Sequence, residues 1–245
     1  MKNKNLVFFD ENWSQLFEKE HNLLKSVLKN NFVESYHIGS TSIKGIFSKP
    51  KIDIALIVND LEKSKIIEEI GYDYRGCFNI PFRYFFSKRD DNLKINLHVI
   101  EPNNPELDGF LIFRNFLNEN EKLRNEYSEL KLKFEKLIDL KKNENFFNEY
   151  TLAKNEFIGK VLKIAGFKGF CIRFVAHYSE KDYEKSVYTK FKDDDIRFIF
   201  YKGSDIIGYA NADKITKHIN FFQVKENEDY FRCKINNYLK GASYD

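Results

Sequence analysis

Cysteine is nearly absent from this chain: Cys77, Cys171 and Cys233 are the three in 245 residues. They are odd in number, far apart, and form no Cys-x-x-Cys pair with a His doublet nearby. That usage excludes a disulfide framework and a structural zinc and fits a reducing cytoplasm. Long apolar runs are missing as well. The N-terminus runs into only four consecutive apolar residues, 6–9, before Asp10, too few for a secretory signal, and no stretch approaches the ~20 residues of a membrane span. A soluble, cytoplasmic protein with no membrane partner is the expectation. Charge excess is also lacking, since 40 Lys and Arg against 37 Asp and Glu leave a net +3. A dedicated nucleic-acid binder would need a clustered basic face, so the balance carries no strong nucleic-acid signal. What is present is a hydrophobic content of 42%, enough for one good core and a smaller second one in one to two domains.

Periodicity lays out an α+β chain. Trp13, Leu16, Phe17, Leu23, Leu24, Val27 and Leu28 recur near helical spacing and predict a helix over 11–30. Residues 32–38 are β-prone and stop at Gly39. Residues 52–58 are apolar apart from Asp53, as in a strand buried on both faces. A helix is expected over 61–70, stopped by Gly71. Strands are expected over 82–86 and 93–100, joined by a turn at 88–92. The second would place Leu93, Ile95, Leu97 and Val99 on one face and Lys94, Asn96 and His98 on the other. Residues 110–140 read as two helices and 149–164 as another, with Tyr150, Ala153, Phe157 and Val161 on its apolar stripe. Gly166-Phe167-Lys168-Gly169 breaks the pattern, so domains of 1–168 and 169–245 are expected. Beyond it lie short β-prone runs at 172–175, 196–201, 206–210 and 218–224, a hairpin turn at 202–205 and a closing helix over 229–239.

The stretch that carries chemistry is His37-Ile38-Gly39-Ser40-Thr41-Ser42-Ile43, followed by Lys49-Pro50-Lys51-Ile52-Asp53-Ile54. Gly39 would let backbone amides approach phosphate oxygens, and Ser40 adds a hydroxyl donor. A strand carboxylate after such a turn would hold the metal that bridges those phosphates. This is the arrangement a nucleotidyltransferase uses, with one departure: the second carboxylate expected two residues after Asp53 is Ala55.

The wider series resembles the GrpB family, a branch of the nucleotidyltransferase superfamily, over about residues 5–165. The blocks are His37 to Ile43, Lys49-Pro50, Ile52-Asp53-Ile54, Gly71-Tyr72-Asp73-Tyr74-Arg75-Gly76, Arg83-Tyr84-Phe85, Leu97-His98-Val99, Phe113-Arg114, Glu126-Tyr127, and Ala153-Lys154 with Glu156-Phe157. The resemblance implies a mixed sheet flanked by helices, and a lone Asp is a trait of that family. Lys44-Gly45 departs from the family's usual Pro-Gly in a loop. In some bacteria a GrpB-like domain is fused to dephospho-CoA kinase, which implies a partner-linked role as an alternative to catalysis.

The tail is similar to half of a GNAT N-acetyltransferase fold, on the hairpin Phe198-Ile199-Phe200-Tyr201-Lys202-Gly203-Ser204-Asp205-Ile206-Ile207-Gly208-Tyr209-Ala210. A working member needs an Arg/Gln-x-x-Gly-x-Gly/Ala turn to bind pyrophosphate. Lys225-Glu226-Asn227-Glu228-Asp229 stands there without a glycine, so a truncated or degenerate small α/β domain is expected.

Two functions follow. In the first, Mg²⁺ or Mn²⁺ assists nucleotidyl transfer from a nucleoside triphosphate to an unidentified hydroxyl. Gly39, Ser40, Thr41, Lys49 and Arg83 would hold phosphates, and Asp53 and His98 would serve as catalytic groups and metal ligands. In the second, an inactive module binds a nucleotide or CoA, or aids the folding of a partner. His98 could equally be a structural histidine and Arg83 a rim salt bridge. Lys44 and Lys51 could be solvated loop lysines, and His37 could orient the turn. Tyr72, Tyr74 and Tyr84 could stack on a base or pack the core. With Ala55 in place, either His98 or Glu101 replaces the second carboxylate, one ion suffices, or transfer has been lost.

Overall fold

The β-branched run around Asp53 becomes the strand on which the larger unit is built. The computed structural model describes residues 6–77, 80–90, 93–140, 144–174 and 195–241, with side chains at 90, 136–140, 144–152 and 241 outside the description. Two compact units divide the chain, one of Met1–Arg75 with Arg83–Phe167 and one of Gly76–Phe82 with Lys168–Asp245. The first unit runs β1 (Val7–Phe8), α1 (Asn12–Leu28), β2 (Phe32–Ile38), β3 (Phe47–Ser48), β4 (Lys51–Val58), a 3-10 segment (Glu62–Ile70), β5 (Asp73–Tyr74), β6 (Tyr84–Asp90), β7 (Leu93–Ile100), α2 (Pro105–Glu119), α3 (Glu121–Leu140) and α4 (Glu144–Ile164). Five strands form a mixed sheet in the order β2-β4-β7-β6-β5. β4 and β7 are parallel and the other pairs antiparallel, while β1 and β3 pair separately. The α+β sheet flanked by helices is therefore as expected.

Register decides which side chains meet. Asp53 stands opposite Asn96 and Ala55 opposite His98; because strand side chains alternate, these four share one face. Ile52, Ile54, Leu56, Ile95, Leu97 and Val99 occupy the other and are essentially shielded from water, each worth about 1.5–3 kcal/mol relative to an exposed position. Helix α1 covers that apolar face: Phe17 stacks on His37 at 5.4 Å, and His37 is the register partner of Ile54. Tyr72 donates its hydroxyl to Glu20 at 2.8 Å, and Lys88 pairs with the same carboxylate at 3.3 Å. Tyr84 donates to Glu62 and Tyr74 packs edge-on against it at 5.0 Å. These tyrosines serve the core, and none of them faces Asp53.

Local chemistry sets the helix ends. The Asn104 side chain accepts the Glu106 amide, with Pro105 in the first turn, so α2 starts before the expected residue 110. Asn120 closes α2 by donating its amide to Phe116 O at 2.9 Å, and its Oδ1 accepts the Leu123 amide at 3.0 Å, which separates α2 from α3. Residues 62–70 are a 3-10 segment rather than the expected α-helix, ended by Gly71 at φ 87° as expected. β6 begins at Tyr84 and continues to Asp90, beyond the expected 82–86. The 91–92 part of the predicted turn lies outside the described residues, as does the side chain of Tyr150.

The second unit contains β8 (Phe170–Phe174), β9 (Asp195–Lys202), β10 (Asp205–Asp213), β11 (Ile219–Val224) and α5 (Glu228–Gly241). The sheet is antiparallel in the order β11-β10-β9-β8. The hairpin closes at Lys202 and Asp205, where Gly203 supplies φ 61°. Phe198, Phe200, Ala210, Phe231 and Ile235 form its buried core, with Phe200 stacked on Phe231 at 4.4 Å. Val175, the expected end of the first tail strand, lies outside the described residues. No described helix is long and apolar enough to cross a membrane.

Candidate functional site

The turn after β2 is shaped around a carboxylate. Gly39 has φ 71° and ψ −167°, a region open in practice to glycine alone. A Cβ there would lie 2.5 Å from Asp53 Oδ2 and 2.8 Å from Asp53 Cβ. The turn and the β4 carboxylate are thus in contact, as the sequence pattern required.

Helix α2 fixes this turn from outside. Arg114 Nη1 donates to His37 O at 2.9 Å. Asn118 donates to Ser42 O at 3.2 Å and accepts the Lys44 amide at 2.9 Å. Thr41 is 1% exposed and donates to Lys51 O at 3.0 Å. His37 Nε2 must therefore be the donor in its 3.1 Å contact with the Thr41 hydroxyl. Burial, opposed by Asp53 and reinforced by Arg114, lowers the His37 pKa to about 4. Thr41, expected at the phosphates, has its hydroxyl engaged within the turn by Lys51 O and His37. Ser42 Oγ donates to Gly39 O at 2.7 Å and Ser48 Oγ to Ser40 O at 3.1 Å. The Ser40 hydroxyl itself makes no hydrogen bond among the described residues.

Asp53 is 8% exposed. Its Oδ1 accepts from Asn96 Nδ2 at 2.8 Å and lies 3.2 Å from Lys51 Nζ. Burial alone would raise its pKa, but Lys51, His98 and Asn96 outweigh burial and hold the carboxyl well below the usual range. It is ionised. Since a carboxylate only accepts, Asn96 must turn its NH₂ toward Asp53, and its buried Oδ1 is left without a donor among the described residues.

His98 reaches the same carboxylate from β7, with Nε2 4.0 Å from Asp53 Oδ1, longer than an ordinary hydrogen bond. Arg83 Nη1 lies 2.9 Å from His98 Nδ1. A guanidinium only donates, so Nδ1 accepts and the ring proton sits on Nε2, facing Asp53. Burial, with Arg83 and Lys51 adding to it against Asp53, lowers the His98 pKa to about 4. Phe85 and Phe110 flank the ring at 5.2 and 5.4 Å. Gly39, Ser40, Lys51, Asp53 and His98 converge, with Arg83 behind His98. Lys49 is exposed beside them and Glu101 is exposed on its own loop.

Two residues of this constellation escaped the sequence reading. Asn96 occupies the position opposite Asp53, and Lys131 of α3 is 5% exposed, close enough to Asp53, Lys49, Lys51 and Lys154 to feel their charges. The signal for Lys131 was its place four residues after Tyr127 and eight after Leu123, both buried, on an otherwise apolar stripe.

The donor set fits a resident divalent ion poorly. Magnesium favours carboxylates and phosphate oxygens in octahedral order; here one carboxylate is present, Ala55 and Asn96 stand where others could, and an ammonium already neutralises Asp53. Among the described residues no three of His, Cys, Asp and Glu gather as a metal-binding group.

Known proteins share this architecture. The model of the GrpB protein family matches residues 4–164. A UPF0157 protein of Halalkalibacterium halodurans is 33% identical over 65% of this chain and 81% of its own length. The glutamate-rich protein GrpB of Alkalihalophilus pseudofirmus is 32% identical over 64% of this chain and 92% of its own. The crystal structure of the conserved protein GrpB from Enterococcus faecalis covers 65% of this chain and 96% of its own, at 32% identity and a TM-score of 0.57. The matched residues carry the Gly39 turn, Asp53, Arg83, His98 and Lys131 together, and the chain belongs to the GrpB family.

Proposed function

We propose that the first unit is a nucleotide-binding module, which takes the phosphate groups of a nucleoside triphosphate at the Gly39–Ser40 turn. The observation that carries this reading is the charge around the turn: among the described residues, the ionised Asp53 is set among Lys51, Lys49, Lys131 and Lys154. Such an excess of fixed cations favours a multiply charged anion. The unspent Ser40 hydroxyl adds a donor at the turn.

The test is a panel of ATP, GTP, CTP and UTP, each with and without Mg²⁺ or Mn²⁺, followed by thermal shift and by pyrophosphate release. A shift without pyrophosphate is expected, and Ser40→Ala should weaken binding about tenfold, the worth of a hydrogen bond to a charged group. A second reading, nucleotidyl transfer to a hydroxyl, is favoured by the convergence of Asp53, His98 Nε2–H and the orphan Asn96 Oδ1; the amide oxygen would orient the hydroxyl by accepting its hydrogen bond, and the Asp53 carboxylate would take its proton. Pyrophosphate release that disappears in Asp53→Ala would establish that reading in place of the first. No shift with any nucleotide would end both.

A further inference from the structure

Resting on the nucleotide-binding reading, we infer that the phosphate chain enters without a chelated metal, its charge met by Lys49, Lys51, Lys154 and the buried Lys131 in place of divalent cations. Lys131 acts as a positioning residue behind the turn. Its Nζ donates to Phe47 O at 3.2 Å and to Ser48 Oγ at 3.3 Å and lies 4.4 Å from the Tyr127 ring centroid. Ser48 in turn donates to Ser40 O at 3.1 Å. One hydrogen-bonded link therefore separates this ammonium from the residue that would bind phosphate.

The arrangement lacks a counter-charge. Lys88, a partly buried lysine of this unit, has Glu20 at 3.3 Å. Lys131 has no carboxylate within ion-pair distance among the described residues, although it is more deeply buried. An unpaired buried ammonium is strongly unfavourable. Burial first, then Lys154, Lys51 and Lys49, push its pKa well below the usual lysine range, with Asp53 opposing them. A bound polyanion is the partner that would satisfy all four lysines at once.

Metal delivery suits the site less well. Asp53 already accepts from Asn96 and is neutralised by Lys51 at 3.2 Å, so an incoming divalent ion must displace an ammonium and then sit among further cations. A metal also removes negative charge from the triphosphate, weakening its attraction to the lysines.

The two kinds of site respond oppositely to loss of Asp53. A metal-bridged nucleotide would be lost in Asp53→Asn, whereas an unchelated one would be held as well or better once a negative charge is removed. The experiment is calorimetric titration of the full chain with ATP, in EDTA and in excess Mg²⁺, for wild type, Asp53→Asn, Lys131→Met and Lys131→Arg. Binding in EDTA at least as tight as in Mg²⁺ is expected. Asp53→Asn should leave that affinity unchanged or improved. Lys131→Met should weaken it about tenfold and flatten its dependence on NaCl, and Lys131→Arg should restore most of the loss, as a charge contact does. ATP binding that requires Mg²⁺ and vanishes in Asp53→Asn would overturn the unchelated mode while leaving nucleotide binding intact. Absence of ATP binding in both conditions would overturn the underlying reading too. Equal affinity in Lys131→Met and wild type would remove Lys131 from the site, and the comparison of EDTA with Mg²⁺ stands even if that variant fails to fold.

Discussion

Gly39→Ala is expected to cost about 3–5 kcal/mol of folding stability, the sum of a backbone held where only glycine is at ease and an overpacked contact. The backbone part comes from φ 71° and ψ −167°. The contact part comes from the new methyl, which would meet Asp53 Oδ2 at 2.5 Å and Asp53 Cβ at 2.8 Å. Neither partner can retreat easily. Asp53 lies on the central β4, between β2 and β7, and Gly39 follows a strand end tied to α2 by Arg114. The two parts separate in a double-mutant cycle. Asp53→Gly removes both clashing atoms, so the pair Gly39→Ala with Asp53→Gly should show a favourable coupling of about 1–3 kcal/mol, leaving the backbone part. Chemical denaturation of the four proteins measures it, and strict additivity would show that the turn does not close on the carboxylate.

Acidification is expected to produce the second large effect, a fall in stability between pH 6.5 and pH 4. His37 and His98 are each lowered from 6.5 to about 4 by burial. In the unfolded chain both take up protons as pH drops through 6.5, while in the folded protein they stay neutral until about pH 4. The unfolded state therefore binds more protons across that window, and stability must fall as pH falls through it, by up to about 3 kcal/mol for each histidine. Asp53 acts in a different window. Its folded pKa is depressed, so its contribution is present above its unfolded value and is lost only below that, under the histidine range. Urea midpoints recorded from pH 7 to pH 4 should fall steadily, and His98→Gln should remove about half of the slope. A flat midpoint across the window would mean that neither ring is held neutral by burial.

These two results probe residues of different legibility. Gly39 could be identified from a strand-like run that stops at a glycine ahead of a Ser-Thr-Ser sequence, and Asp53 from its isolation in an apolar run. The alternation of residues 93–100 already placed Asn96 and His98 on the face opposite Leu97. Thr41 could not be separated from Ser40 by sequence, because both are hydroxyls in one turn; only the path of β4 shows that Lys51 O claims one of them. Lys131 was hidden by its type, since a lysine in a helix dense in Glu and Lys reads as solvated. The short pairs formed by β1, β3 and β5 were illegible because two residues carry no period.

What the amino-acid sequence determined by itself is local and periodic. It specified the central strand, the glycine-only turn and the faces of β7, because backbone sterics and hydrophobic alternation act on neighbours along the chain. The charge of the site was decided by tertiary structure alone. Lys51 reaches Asp53 within its own strand, but Asn96 and His98 arrive from β7, Arg83 from the residue before β6, and Lys131 and Lys154 from α3 and α4. Their combined field depends on distances that no spacing encodes. That convergence sets the Asp53 carboxylate against Lys51 and Asn96.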